Sequence, residues 1–143
     1  MKRPNLDNIE LLSGFFRAVK EVCLCKEGGL VWGGVPCSMQ VFLSCPTHRR
    51  SPENQYWGDT QSPHVQRSNL LASRYVLLAL IAHALRVFWC VEQPSTSLLP
   101  HYPRMKAALE VCGPSFHTRF WMGLYGHWSA KPSKVFGTWF QPY

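Results

Sequence analysis

At 143 residues the chain is long enough to bury a core and fits one domain. Its 46% hydrophobic and 16% charged composition excludes a disordered chain. The longest apolar stretch, Tyr75–Leu85, is too short for a bilayer, which needs about 20 residues, so no membrane association is expected. A net charge of +7 and a sequence pI of about 9.3 suit an acidic partner such as nucleic acid.

The start, MKRPNLDNIE, has basic residues with no apolar run behind them and does not read as a secretory signal. An intracellular location, nuclear or cytoplasmic, is expected. Cys23, Cys25, Cys37, Cys45, Cys90 and Cys112 fit that setting as free thiols. No CxxC pair occurs and Cys23-x-Cys25 is poor zinc spacing, so no metal site is expected.

In chain order, Asp7–Cys25 carries Ile9, Leu12, Phe15, Phe16, Val19, Val22 and Cys23 at helical spacing, with Asp7 and Glu10 as a start signal and Gly28-Gly29 as a stop. Leu30–Val35 is short, apolar and β-branched, which predicts a buried strand. Gly33-Gly34 weakens it and marks close approach of a backbone or a ligand. Cys45–Gln66 holds three prolines and a Gly-Asp turn and reads as a loop. His48, Arg49, Arg50, His64 and Arg67 make the region basic, and Tyr56 and Trp57 add aromatic surface. That mixture suits phosphates and bases, or else a solvated loop anchored by its Trp.

Ser68–Leu85 predicts a second helix, burying Leu70, Leu71, Val76, Leu77, Leu80, Ile81 and Ala84, with His83 as a core histidine. Val87–Val91 follows as a buried strand, so Leu30–Val91 forms a βαβ unit whose crossover should be right-handed. Tyr102–Val111 predicts a third helix, started by Pro103 and stopped by Gly113. His117–Tyr125 and Lys134–Phe140 predict an antiparallel pair. The fold class expected is α/β: one domain, residues 1–143, with a small, mainly parallel, Rossmann-like sheet flanked by helices and an antiparallel C-terminal strand pair.

Two turns carry the candidate chemistry. In the first, Cys37 follows Pro36, which stiffens the backbone, and Ser38 completes a Val-Pro-Cys-Ser turn. A thiol presented there is a candidate nucleophile; the alternative is a small buried hydrophobe. In the second, Glu92 precedes Gln93 and Pro94 after Phe88, Trp89 and Val91. Against that apolar background the carboxylate is expected to be partly desolvated and suited to proton exchange. The alternative is a helix N-terminal acid or an exposed turn residue. Cys90, inside the strand, is expected to be buried and inert. At the carboxyl ends of neighbouring parallel strands the thiol and the acid would share a crevice.

Strand, Pro-Cys turn, helix, strand, Glu-x-Pro turn resembles the central pattern of the DNA cytosine 5-methyltransferases and their phage-like relatives. The matching residues are Val35-Pro36-Cys37-Ser38 and Val91-Glu92-Gln93-Pro94, followed by Leu124-Tyr125-Gly126 and Lys131–Gly137. The resemblance implies that Cys37 attacks carbon 6 of an extruded cytosine while Glu92 binds its ring nitrogen and amino group. It implies further substrate contacts from Pro36, Ser38, Gln93 and Pro94, and from Lys131 or Lys134 where the family uses arginine; Arg49 and Arg50 of the basic loop are candidate substrate contacts through their charge. S-adenosylmethionine would supply the methyl group.

The pattern departs from the family in three places. No glycine-rich cofactor turn precedes the Cys37 strand, Gln93 stands where the family has Asn, and lysines replace forked arginines. The chain is therefore a fragment of a larger methyltransferase-like protein, a reduced relative without cofactor binding, or an unrelated α/β domain. The competing function is a non-catalytic module that grips nucleic acid or a protein through the basic loop Thr47–Arg67 and through Trp121, Trp128 and Trp139.

Overall fold

The structure, a computed structural model, describes residues 8–113 and 115–138. Helix α1 spans Leu12–Cys23 and strand β1 Leu30–Gly33. A 3-10 turn at Phe42–Ser44 leads into the short helix α2, Cys45–His48. Helix α3 is Pro63–Ala84, strand β2 Phe88–Pro94 and helix α4 Pro103–Cys112. Strands β3, Phe116–Trp121, and β4, Pro132–Gly137, are the last elements among the described residues, with a 3-10 turn at Met122–Tyr125 between them.

The strand order is β1-β2-β4-β3. β1 pairs parallel with β2, joined by the expected helical crossover. β4 runs antiparallel to both β2 and β3. The sheet is thus α/β in class but mostly antiparallel, which corrects the expected mainly parallel sheet. The physical reason is that the described residues make a single βαβ crossover. After α4 the chain returns as a hairpin whose second arm inserts beside β2. The expected C-terminal antiparallel pair is present, with its first strand ending at Trp121, where the 3-10 turn begins. Residues 139 and 140 of the expected last strand lie outside the described residues.

α1 starts at Leu12, later than its apolar spacing predicts. Asp7 lies outside the described residues. Asn8 Oδ1 accepts from the Glu10 amide at 2.9 Å, and the Glu10 carboxylate pairs with Arg67 at 2.6 Å, so it is not spent on the helix end. α3 starts earlier than predicted, because Pro63 fits a first helical turn, where its missing N–H costs nothing. Residues 63–66 of the predicted loop are therefore helical.

α3 is the hub: it packs on β1 and β2 and is flanked by α1 and α4. Ala72, Ala79 and Ala82, all fully buried, let it lie close to its neighbours. A helix surrounded on several sides needs no single apolar stripe, so the predicted buried side is only partly right. Leu71 and Val76 are buried, Leu70, Leu77, Ala84 and His83 are exposed, and Tyr75 takes a central place. Tyr75 donates to the Cys90 carbonyl at 2.6 Å and meets Trp89 edge-on. Cys90 is buried, and burial pushes its thiol up to about 11.

Side chains alternate across a sheet, so the register assigns two faces. Trp89, Val91 and Phe136 face the helices and join the core. Trp32, Cys90 and Phe116 share one row of the opposite face, and Glu92, Val135 and Thr118 share the next. No helix among the described residues is long and apolar enough to cross a membrane.

Candidate functional site on the open sheet face

The face turned away from α3 bears a cavity of about 570 Å³. Trp32 from β1, Phe116, Thr118 and Phe120 from β3, Val135 from β4, and Met122 and Tyr125 from the following turn form its walls. Glu92 is its one acid. The Glu92 side chain is 18% exposed, and its Oε1 is buried without a hydrogen-bond partner. Lys131 Nζ stands 3.6 Å from that oxygen, close enough for charge attraction and too far for a hydrogen bond. An acceptor oxygen withdrawn from water among apolar walls favours a ligand that brings its own N–H groups.

The turn that carries Cys37 lies directly beside the Glu92 turn. Gln93 Nε2 donates to the Val35 carbonyl at 2.5 Å, and its Oε1 accepts from Ser97 Oγ at 2.9 Å. The Leu98 amide donates to Gln40 O, and the Phe42 amide to Thr96 O, so the two segments run on zipped together. Cys37 is half-buried and its carbonyl accepts from the Gln40 amide at 2.7 Å. The thiol is not a wall of the Glu92 cavity. Pro36 and Ser38 are exposed and line a separate hollow against the start of α3, with His64 and Arg67. Pro94 ends β2 opposite Ser133.

Several expected substrate contacts have other work. Gln93 is 1% exposed and both ends of its amide are taken by the clamp just described. Arg50, at 3% exposure, is a bolt inside the loop. It donates to Met39 O, Tyr56 O and Trp57 O and to Asn69 Oδ1, at 2.6–3.1 Å. Desolvation lowers even its guanidinium, to about 10. This corrects its assignment as a substrate cation. The loop looked basic because its charge was counted without its carbonyls, which absorb the guanidinium. Tyr56 stacks on His101, and Trp57 meets Tyr102 edge-on beneath Arg104. Arg49 is exposed. Lys131 joins Glu92, whereas Lys134 donates to Ser97 O at 2.9 Å and is lowered by burial and then by Arg119. Trp139 lies outside the described residues.

His48 completes the loop's interior. It is fully buried, with Nε2 2.9 Å from Val41 O and Nδ1 accepting from the Arg50 amide. Those bonds fix a neutral ring. Burial lowers its pKa below 6.5, opposed by the Val41 bond and assisted by the Arg50 charge. The unfolded chain therefore takes up a proton before the folded one does. Stability should be full above about pH 6.5 and fall as pH drops from there through the folded pKa. Urea midpoints measured between pH 8 and 5 should show this decline, reduced in His48→Gln.

A second cavity, of about 770 Å³, lies between α1, β1 and α3 and is bordered by Gly33 and Gly34. A glycine-lined hollow there invites comparison with the cradle that S-adenosylmethionine would need. At Gly33, however, the ring of Tyr75 occupies the space that a Cβ would take, and Glu10 is held by Arg67. The glycine serves helix–strand packing, and these residues do not form that cradle. Among the described residues, no group of three or more His, Cys, Asp or Glu could hold a metal ion.

In comparisons with known proteins, no family model, no curated protein and no solved structure matches the chain. The walls of the Glu92 cavity are the site residues that sequence reading passed over. Their signal was the alternation Phe116-x-Thr118-x-Phe120, which places three side chains on one face.

Proposed function

We propose that the chain is a degenerate, cytosine 5-methyltransferase-like domain that holds an unstacked nucleobase without transferring a methyl group. The observation that carries this reading is the buried Glu92 Oε1, without a hydrogen-bond partner, inside an aromatic-walled cavity. Flat rings fit between Trp32, Phe116 and Phe120, and an exocyclic amine would supply the hydrogen bond that the oxygen lacks. Cytosine carries such an amine and thymine does not. The β1–α3–β2 unit supports the resemblance, since it sets the Pro36-Cys37 and Glu92-Gln93 turns side by side as a Rossmann-like half-sheet would. Cys37 is given no step, because its thiol lies outside the walls of the cavity.

The test uses labelled oligonucleotides with a single bulged cytosine or thymine, read by fluorescence anisotropy. The cytosine bulge should bind about tenfold more tightly, which is the discrimination of one good hydrogen-bonded base contact. Glu92→Ala should erase that preference and keep the general affinity; Cys37→Ser should change neither. Equal binding of the two bulges by the unaltered protein, or a preference that survives Glu92→Ala, refutes the reading.

A further inference from the structure

The register of the open face sets a ring at each end of one row. Trp32 on β1 and Phe116 on β3 flank Cys90 and Gly137, which present a small side chain and none. The two end strands stand three spacings apart, about 14 Å, so the low residues between the rings leave room for a flat ligand. Phe120 and Tyr125, which meet edge-on, form a further wall, and Met122 adds a polarisable sulfur. In the next row Glu92 sets its carboxylate into this aromatic enclosure, and none of the described wall residues carries a positive charge.

Rings and acid pull the same way on charge. Aromatic faces are negative and attract cations, most strongly where water is excluded. A buried carboxylate oxygen without a hydrogen bond attracts them too. The cation that answers Glu92 in the folded chain, Lys131, is not one of the walls. It approaches the acid from outside the cavity, at 3.6 Å, with 35% of its side chain exposed. An ammonium so placed can turn to solvent when a ligand brings its own charge.

We propose that the cavity selects a nucleobase made positively charged by N-alkylation over the same base unmodified. The charge would sit among the rings while an N–H on the base edge reaches Glu92 Oε1. This rests on the base-holding reading and names the class of base that the site takes best.

Two sets of probes separate the sources of such a base. Labelled oligonucleotides with a single bulged cytosine, 5-methylcytosine or 3-methylcytosine present it within a strand and are read by anisotropy. Guanosine and 7-methylguanosine monophosphate present it free and are read by calorimetry. In at least one set the positively charged member should bind about tenfold more tightly. The set that shows this tells whether a strand or a free nucleotide is the source. 5-Methylcytosine, methylated and uncharged, should bind like cytosine. Glu92→Gln keeps an acceptor oxygen and removes the charge, and should cut the preference to about threefold or less. Lys131→Met removes the competing cation, and should tighten the charged base about threefold while leaving the neutral one unchanged. Circular dichroism confirms that each variant folds. Equal binding of charged and neutral members in both sets, a gain that 5-methylcytosine shares, or a preference undiminished in Glu92→Gln overturns the proposal. If bulged cytosine is still preferred to bulged thymine while neither charged base gains, this proposal alone fails and base holding stands.

Discussion

Replacing Arg50 by Met is expected to destabilise the protein by about 4 kcal/mol, which would move its urea midpoint by about 2 M. The guanidinium serves the carbonyls of Met39, Tyr56 and Trp57 and the side chain of Asn69. Methionine would fill much of the volume and serve none of them. Each acceptor left buried without a donor costs about 1–3 kcal/mol. Trp57 O alone would keep a donor, since the Asn69 amide also reaches it at 3.0 Å, so the cost falls on Met39 O, Tyr56 O and Asn69 Oδ1. Arg50→Lys should recover less than half of the loss, because an ammonium is a point donor and cannot reach four acceptors spread over a fork. Equal stability of the Lys variant and the parent in urea melts would contradict this account.

Gly137→Ala should be nearly as costly, about 3 kcal/mol, and should act on the sheet itself. Gly137 has φ of +154° and lies opposite Cys90 in β2. A Cβ there would run into the Trp89 carbonyl, with the Cys90 Cα 2.7 Å away. Both obstacles are backbone, so no rotamer change relieves them, and β2 and β4 would have to part. The bonds from the Thr138 amide to Trp89 O and from the Trp89 amide to Thr138 Oγ1 sit at that point. Amide hydrogen exchange should therefore quicken at Trp89 and Thr138 first, and a variant that melts like the parent would show that the strands can adjust.

Local signals in the sequence carried much of this architecture. The apolar runs at Leu30 and Val87 mark the parallel pair, Pro103 and Gly113 bracket α4, and the C-terminal alternation marks the hairpin. What sequence spacing could not supply is where a hairpin inserts. Nothing local to Pro132–Gly137 says that it pairs with β2 as well as with β3. That single placement turns a mainly parallel expectation into a mostly antiparallel sheet. The candidate site divides in the same way. Glu92 is conspicuous among apolar neighbours, but its cavity is assembled from three other strands and a turn. Arg50 and Gln93 are polar in sequence and internal in space, because carbonyls distant along the chain absorb their donors.

The strand order also governs when the sheet can be completed. β4, the last strand among the described residues, is the central rung between β2 and β3, and β3 has no other partner among those residues. During synthesis the helices and the β1–β2 pair can assemble first, while Phe116–Trp121 waits unpaired for residues still to emerge. A chain stopped before Pro132 would present that aromatic segment to solvent with its hydrogen bonds unmade, so such truncations should aggregate rather than yield a smaller folded core.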